Sequence, residues 1–285
     1  MSQKYVLITG ASKGLGEFLA RYFWNSKYNI CLVARSEEGL DKVIDSLPIR
    51  KDQKTFKFIC DISDFNALTV LIKKLKEYLP HLNVLINNAA IQGPIGRFLE
   101  NDLSLWKETL NINLLATVML CHEIVPWMQE SGGGSIINIS GGGATSPREN
   151  FSSYATSKAA IVRFSETLAM ETRGDGIRVN CIAPGAMKTS MLEEVIKKGN
   201  KVAGEKEYEI ARKIIVEGGA SMERVAELAL FLASDESNGI TGKLISAVWD
   251  NWKQWPEHLK ELNESDVYTI RRIAGRDRGH LWGDN

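Results

Sequence analysis

This chain has no excess of charge of either sign: 35 lysines and arginines balance 35 aspartates and glutamates over 285 residues. Zero net charge removes the electrostatic footprint that a nucleic-acid partner requires, and none is expected. Long apolar runs are missing too. No stretch approaches the ~20 residues of a membrane span, so no membrane partner is expected. The opening segment, residues 1–10, reads as a short strand and is too briefly apolar for a signal peptide. Cysteine is sparse, with four residues (Cys31, Cys60, Cys121, Cys181) and no CxxC pair. Each lies in or follows an apolar run. They read as buried free thiols, not as a disulfide framework or a metal site, and no metal is expected. That usage favours a reducing, cytoplasmic compartment. Internal repeats and low-complexity segments are absent.

What is present is alternation. Tyr5–Thr9 is a continuous apolar run, as in a strand covered on both faces. Helical periodicity follows over residues 16–25, then a strand over 30–34 and a helix over 37–46. Further strands are expected at 56–60, Val84–Asn87, 135–140, 178–182 and 244–248. Further helices are expected at Phe65–Tyr78, 103–128, 152–173 and 223–232. Strand–helix alternation of this kind makes βαβ units, and so an α/β fold with a parallel sheet covered on both sides.

Two local patterns carry chemistry. Thr9-Gly10-Ala11-Ser12-Lys13-Gly14-Leu15-Gly16 follows a strand and opens a helix, the context that makes a glycine loop meaningful. Gly10 and Gly14 permit a tight turn and close approach to phosphate, and Gly16 lets the helix pack near the sheet. The helix N-terminus adds amide donors for a pyrophosphate. Tyr154 and Lys158, four apart, share a helix face. An ammonium beside a phenol favours the phenolate, which makes a proton exchanger for hydride chemistry at a carbon bearing oxygen.

Thr9-Gly-x-x-x-Gly14-x-Gly16, Asn87-Asn88-Ala89-Ala90, Tyr154-x-x-x-Lys158 and Pro184-Gly185 resemble, in order and spacing, the motifs of the single-domain branch of the short-chain dehydrogenase/reductase family. The likeness covers roughly residues 4 to 248. It implies a doubly wound Rossmann-type sheet of about seven strands and a nicotinamide cofactor. By the same resemblance, Tyr154 is the acid/base, and Lys158 holds the nicotinamide ribose and lowers the Tyr154 pKa. Asn113 anchors a water in the proton relay, and Asn87 supports the strand facing the cofactor. The cofactor contacts are Gly10, Ser12, Lys13, Gly14, Leu15, Gly16, Arg35, Asp61, Ile62, Asn88, Ala89, Pro184, Gly185 and Thr189, together with Tyr154 and Lys158. Asp61 would bond the adenine and Thr189 the carboxamide. Asp61 also reads as a plain cap for the helix that follows it.

Cofactor choice follows from charge. An NAD site places a carboxylate at the end of the second strand, for the ribose 2′-hydroxyl. Here Ala34 stands there, with Arg35 next and Lys13 in the glycine loop. Two cations and no anion suit a 2′-phosphate, so NADP is expected.

Two departures stand out. The family serine that bonds the substrate oxygen lies thirteen residues before the tyrosine, and that position is Gly141. Ser140 is one residue early, where a regular strand points its side chain to the other face. The donor is then Ser140 swung inward, or Thr145, Ser146, a water or the substrate, or catalysis is weak. The second departure is the end of the chain. Residues 1–250 read as the catalytic domain and 251–285 as an aromatic extension, with Trp249, Trp252 and Trp255 spaced by three. That extension is expected to fold over its own subunit or a neighbour. Residues 190–218 read as a mobile lid, with Met187, Met191 and Leu192 near the substrate. Arg97 and Arg148 flank the site as candidates for a substrate phosphate or carboxylate.

The expected function is NADP-dependent interconversion of an alcohol and a ketone, in a homodimer or homotetramer acting on a small-molecule substrate. The alternatives are an NADP(H)-binding protein whose catalysis has faded at Gly141, and a reductase of a nucleotide-linked or acidic sugar.

Overall fold

The computed structural model describes residues 3–280 and 282. Chain order runs β1 (Tyr5–Thr9), α1 (Gly14–Asn25), β2 (Asn29–Ala34), α2 (Glu37–Asp45), β3 (Thr55–Ile59), α3 (Phe65–Tyr78) and β4 (Val84–Asn87). It continues with α4 (Leu103–Leu110), α5 (Ala116–Glu130), β5 (Gly134–Ile139), α6 (Ser152–Glu171) and β6 (Ile177–Ala183). Then come α7 (Ser190–Lys198), α8 (Asn200–Ala203), α9 (Glu205–Glu217), α10 (Met222–Ala233), β7 (Leu244–Ser246) and α11 (Leu259–Glu264). The seven strands form one parallel sheet in the order β3-β2-β1-β4-β5-β6-β7. The order reverses between β1 and β4, so a crevice opens at their carboxyl ends, where ligands of such sheets bind.

Period-two alternation divides each strand between two cores. Val6 and Ile8 of β1 pack with Leu19 and Phe23 of α1 and Leu228 of α10. Tyr5 and Leu7 pack on the other face with Leu68 and Ile72 of α3 and Leu120 of α5. Both faces are apolar, which is why the strands read as continuous apolar runs and not as alternating ones. All four cysteines are buried and unpaired.

The expected helix over 103–128 runs from Leu103 to Glu130, but it is interrupted. Asn111–Leu115 is a π-helical turn between α4 and α5. Such single turns inside α-helices are frequent at functional sites, and this one holds Asn113. By length and composition this helix is the one among the described residues that suits a membrane span. Its buried face, with Ile112, Ala116, Leu120 and Ile124, instead packs on the sheet as core.

After β7 the chain folds back on itself. Trp252 and Trp255 are buried, and Trp252 packs on Phe231 of α10 with ring centroids 5.1 Å apart. Tyr268 lies on Trp255 at 4.3 Å. The third tryptophan of the spacing, Trp249, is exposed: it lies in the turn after β7, before the 3-10 segment Trp252–His258, whose three-residue turn puts Trp252 and Trp255 on one face. Beyond it, the tail runs along the edge strand: the Leu244 amide donates to the Tyr268 carbonyl at 2.8 Å, and Lys243 Nζ to the Val267 carbonyl at 3.0 Å. On α6, Glu166 accepts from the Ile270 amide at 2.7 Å. The expectation for the tail also covers 281 and 283–285, which lie outside the described residues. Replacing Trp255 by alanine should cost about 3–5 kcal/mol, since a large buried side chain leaves a cavity. A urea midpoint equal to wild type would show that the tail does not support the fold.

Candidate active site

The glycine loop sits at the carboxyl end of β1, inside the crevice. Gly10 has φ +65° and Gly14 φ +60°, backbone that favours glycine. A Cβ on Gly10 would lie 2.9 Å from Ala89 Cα, and one on Gly16 would run into the Gly10 carbonyl oxygen. The glycines therefore seat α1 against the loop and against β4. The start of α1 has no side-chain cap, whereas Ser36, Asp64, Asp102 and Ser221 cap α2, α3, α4 and α10. Its first amides are left to an external acceptor, as an anion site requires. This is the feature that fits a dinucleotide here.

Around the loop, Leu15 and Ile62 are buried, Lys13 and Arg35 are exposed, and Ser12 rests against Gly39 in the first turn of α2. Arg35 and Asp61, at the ends of β2 and β3, pair at 3.7 Å. Asp61 also accepts from the amide and hydroxyl of Ser63 at 2.9 and 2.7 Å. Burial pushes its carboxyl up, but those bonds and Arg35 outweigh it and hold the group below the usual carboxylate value. The cap of α3 is Asp64, not Asp61. The Thr9 hydroxyl accepts from the amides of both Asn88 and Ala89 at 3.1 Å, and Asn88 Nδ2 donates to the Thr9 carbonyl at 2.9 Å. Thr9 thus ties the ends of β1 and β4 together. Pro184 is buried, Gly185 is wedged against Ala220 and Val248, and Thr189 stands at the uncapped start of α7.

The second group converges from β5, α6 and the π turn. Asn113 is buried; its Oδ1 accepts from the Ile91 amide, and its Nδ2 donates to the Ile91 carbonyl, both at 2.9 Å. Nδ2 also donates to Ser157 Oγ at 3.2 Å, and Ser157 donates to the Tyr154 carbonyl at 2.7 Å. Lys158 is buried and its Nζ donates to the Ile139 carbonyl at 2.8 Å. That ammonium lies 5.5 Å from the Tyr154 ring centroid. Burial lowers the Lys158 pKa to about 8, with Cys181 opposing. Burial also raises the Tyr154 phenol above its usual value, and the charge that pulls it back is that of Arg148. The resemblance assigns that part to Lys158, one of whose three N–H groups is taken by the Ile139 carbonyl.

Gly141 is not an empty slot. A Cβ at that position would lie 2.6 Å from the Tyr154 hydroxyl. The phenol already stands against the strand where a side chain would emerge. Ser140 is buried, and its hydroxyl donates to the Lys158 carbonyl at 3.4 Å. That bond holds α6 to β5 and leaves the expected inward swing without a free hydroxyl.

The lid helices close over this group. Ile95, Phe151, Val195, Ala203 and Ala211 form a small core, with Tyr154, Leu192 and Ile196 packed on it. Met187 packs instead on the main core. Arg148 Nε and Nη2 both donate to Glu207 Oε2 of α9, at 3.1 and 2.8 Å. Arg97 is exposed, with Glu100 at 3.7 Å. A cleft of about 440 Å³ opens between Gly93, Ile95 and the α7 residues Glu194, Lys197 and Lys198. Glu194 also faces the glycine loop: burial raises its carboxyl while Lys13 lowers it. Ser157, three residues from Tyr154 on the same helix face, was within reach of sequence reasoning. Glu207, 59 residues from Arg148, had no sequence signal.

A doubly wound parallel sheet with a glycine turn at its switch point defines a dinucleotide-binding protein of Rossmann type. The family model for short chain dehydrogenase matches residues 4–200. The chain belongs to the short-chain dehydrogenase/reductase family of oxidoreductases, whose members bind a nicotinamide cofactor. It is 34% identical over 246 residues to the oxidoreductase UcpA of Salmonella typhimurium, covering 85% of this chain and 92% of that one. It is 30% identical over 247 residues to the 3-oxoacyl-[acyl-carrier-protein] reductase FabG of Thermotoga maritima, covering 85% and 95%. Among solved structures it is similar to YwfH, an NADPH-dependent reductase involved in bacilysin biosynthesis, at TM-score 0.78 and 26% identity, covering 86% and 97%.

Proposed function

We propose that this chain is an NADP(H)-dependent oxidoreductase that interconverts an alcohol and a ketone, with Tyr154 as the acid/base. The observation that carries the reading is the convergence of Asn113, Ser157, Tyr154 and Lys158 into one cluster at the carboxyl edge of the sheet. When bound, the cofactor supplies a hydride donor or acceptor at its nicotinamide ring. The chain's own residues do the rest. The uncapped amides of α1 and the glycine turn bind the pyrophosphate. Tyr154 gives its proton to the substrate oxygen in reduction and takes it back in oxidation. Lys158 and Asn113 hold that end of the site in place, and Leu192 and Ile196 of the lid help exclude water.

Lys13 and Arg35, with Ala34 in place of an acid, support NADP over NAD. The NADPH dependence of YwfH supports the same cofactor, and FabG, a 3-oxoacyl reductase, supports a ketone as the group reduced. A charge-assisted bond is worth about 1.5–3 kcal/mol. Arg35→Ala should therefore weaken NADPH binding by roughly 10- to 100-fold and leave NADH affinity unchanged. Fluorescence titration of both cofactors reads this directly, and equal or tighter NADH binding by the wild-type chain would sink the NADP assignment. Turnover of NADPH against a panel of ketones tests the reaction itself. Tight NADPH binding with no turnover at any pH would favour a binding protein.

A further inference from the structure

Tyr154 stands within range of two cations. Lys158 Nζ is 5.5 Å from its ring centroid and Arg148 Cζ is 5.6 Å away. They differ in permanence. Lys158 is buried and donates to a backbone carbonyl, and burial lowers its pKa to about 8. Arginine stays charged at every working pH.

Arg148 is also held in place. Its guanidinium lies 3.9 Å from the Phe151 ring centroid, and two of its nitrogens bond Glu207 Oε2. Both side chains of this ion pair are largely buried, at 17% and 24% exposure. Nη1 has no partner among the described residues, and it faces Gly142, 4.0 Å from where a Cβ would stand. The strand end that offers a hydroxyl in relatives offers only Gly141, Gly142 and Gly143 here, and Ser140 is turned to Lys158. The charged groups near Tyr154 are thus Lys158 from its own helix, Arg148 from the loop before it and Glu207 from the lid. The α7 residues that share its small core, Val195, Leu192 and Ile196, are apolar.

We propose that Arg148 is a positioning residue for Tyr154: clamped by Glu207 of the lid, its guanidinium steadies the Tyr154 oxygen as that oxygen exchanges its proton. This joins two events, because α9 supplies the clamp and closure of the lid sets the acid/base. The inference rests on Tyr154 being the acid/base.

The test is an ultraviolet titration of Tyr154, each chain being read as a difference against the same chain carrying Tyr154→Phe. No substrate is needed. Arg148→Met removes a cation, destabilises the phenolate and should move the ionisation midpoint to higher pH. Glu207→Gln keeps a hydrogen-bond acceptor but removes the opposing charge, and should move the midpoint to lower pH. Arg148→Lys keeps the charge and should recover part of the shift, which covers the case of a poorly folded Arg148→Met. A midpoint unmoved by Arg148→Met overturns the proposal. So do shifts of the same sign in Arg148→Met and Glu207→Gln, which would mark a packing role. On a ketone that the wild type reduces, Arg148→Met should lower kcat on the order of 10²-fold with KM nearly unchanged. If the wild type reduces no ketone, the functional reading fails, while the titration still decides the role of Arg148.

Discussion

Tyr154→Phe should abolish most turnover, by on the order of 10²–10⁴-fold, while NADPH affinity should stay close to wild type. The magnitude is that of losing a positioned general acid/base. The separation of effects follows from where the groups lie. The glycine loop, Arg35 and Asp61 stand at the β1, β2 and β3 ends of the crevice, whereas Tyr154 approaches from α6 beside β5. Phenylalanine keeps the ring that packs on the small core of Ile95, Phe151 and Val195, so the lid core survives. Steady-state kinetics beside a cofactor titration checks both parts. Residual turnover within a few-fold of wild type would mean that the proton travels by another route.

Gly141→Ser, which writes the family residue back in, should lower turnover on the order of 10²-fold. The first side-chain atom at this position would fall 2.6 Å from the Tyr154 hydroxyl, far inside contact distance. Either the strand end or the phenol must retreat by about an ångström, and a misplacement of that size is enough for such a loss. Gly141→Ala should do the same, because the Cβ and not the hydroxyl causes the collision. Ser140→Ala is the comparison: it removes one long bond to the Lys158 carbonyl and should cost about 1 kcal/mol of stability, with turnover little changed. A gain in turnover for Gly141→Ser would show that the phenol yields and that the hydroxyl is missed. Loss of turnover in Ser140→Ala would restore Ser140 as the substitute donor.

The fold was almost wholly legible. Residues such as Val6-Leu7-Ile8 and Ile30-Cys31-Leu32 are apolar at every position, and only a strand sandwiched between two helical layers uses both faces in that way. The starts of α2 and α3 were legible at Glu37 and Phe65, but the cap was not: Asp64 caps α3, where the sequence pointed to Asp61. The interruption at Asn111–Leu115 was not, because a π turn keeps apolar residues near helical spacing and leaves no Gly or Pro behind. In the tail, the tryptophan spacing pointed to one buried face. The 3-10 segment keeps that period for Trp252 and Trp255, but it begins after Trp249, which stays outside in the preceding turn.

The site divided along the same line. Its motifs are local in sequence: a glycine loop between a strand and a helix, an Asn-Asn-Ala-Ala strand end, a tyrosine and a lysine one helical turn apart. Short-range geometry dictates what such strings can do, so the sequence by itself determined the family, the sheet and the crevice. It also exposed the glycine where a serine was due. What the glycine means is a matter of three-dimensional packing. Only the tertiary structure puts the Tyr154 hydroxyl against the Gly141 backbone, turns Ser140 toward Lys158, and brings Glu207 across 59 residues to hold Arg148. Those contacts join separate elements at ångström range, where side-chain direction decides the chemistry and spacing along the chain carries no information.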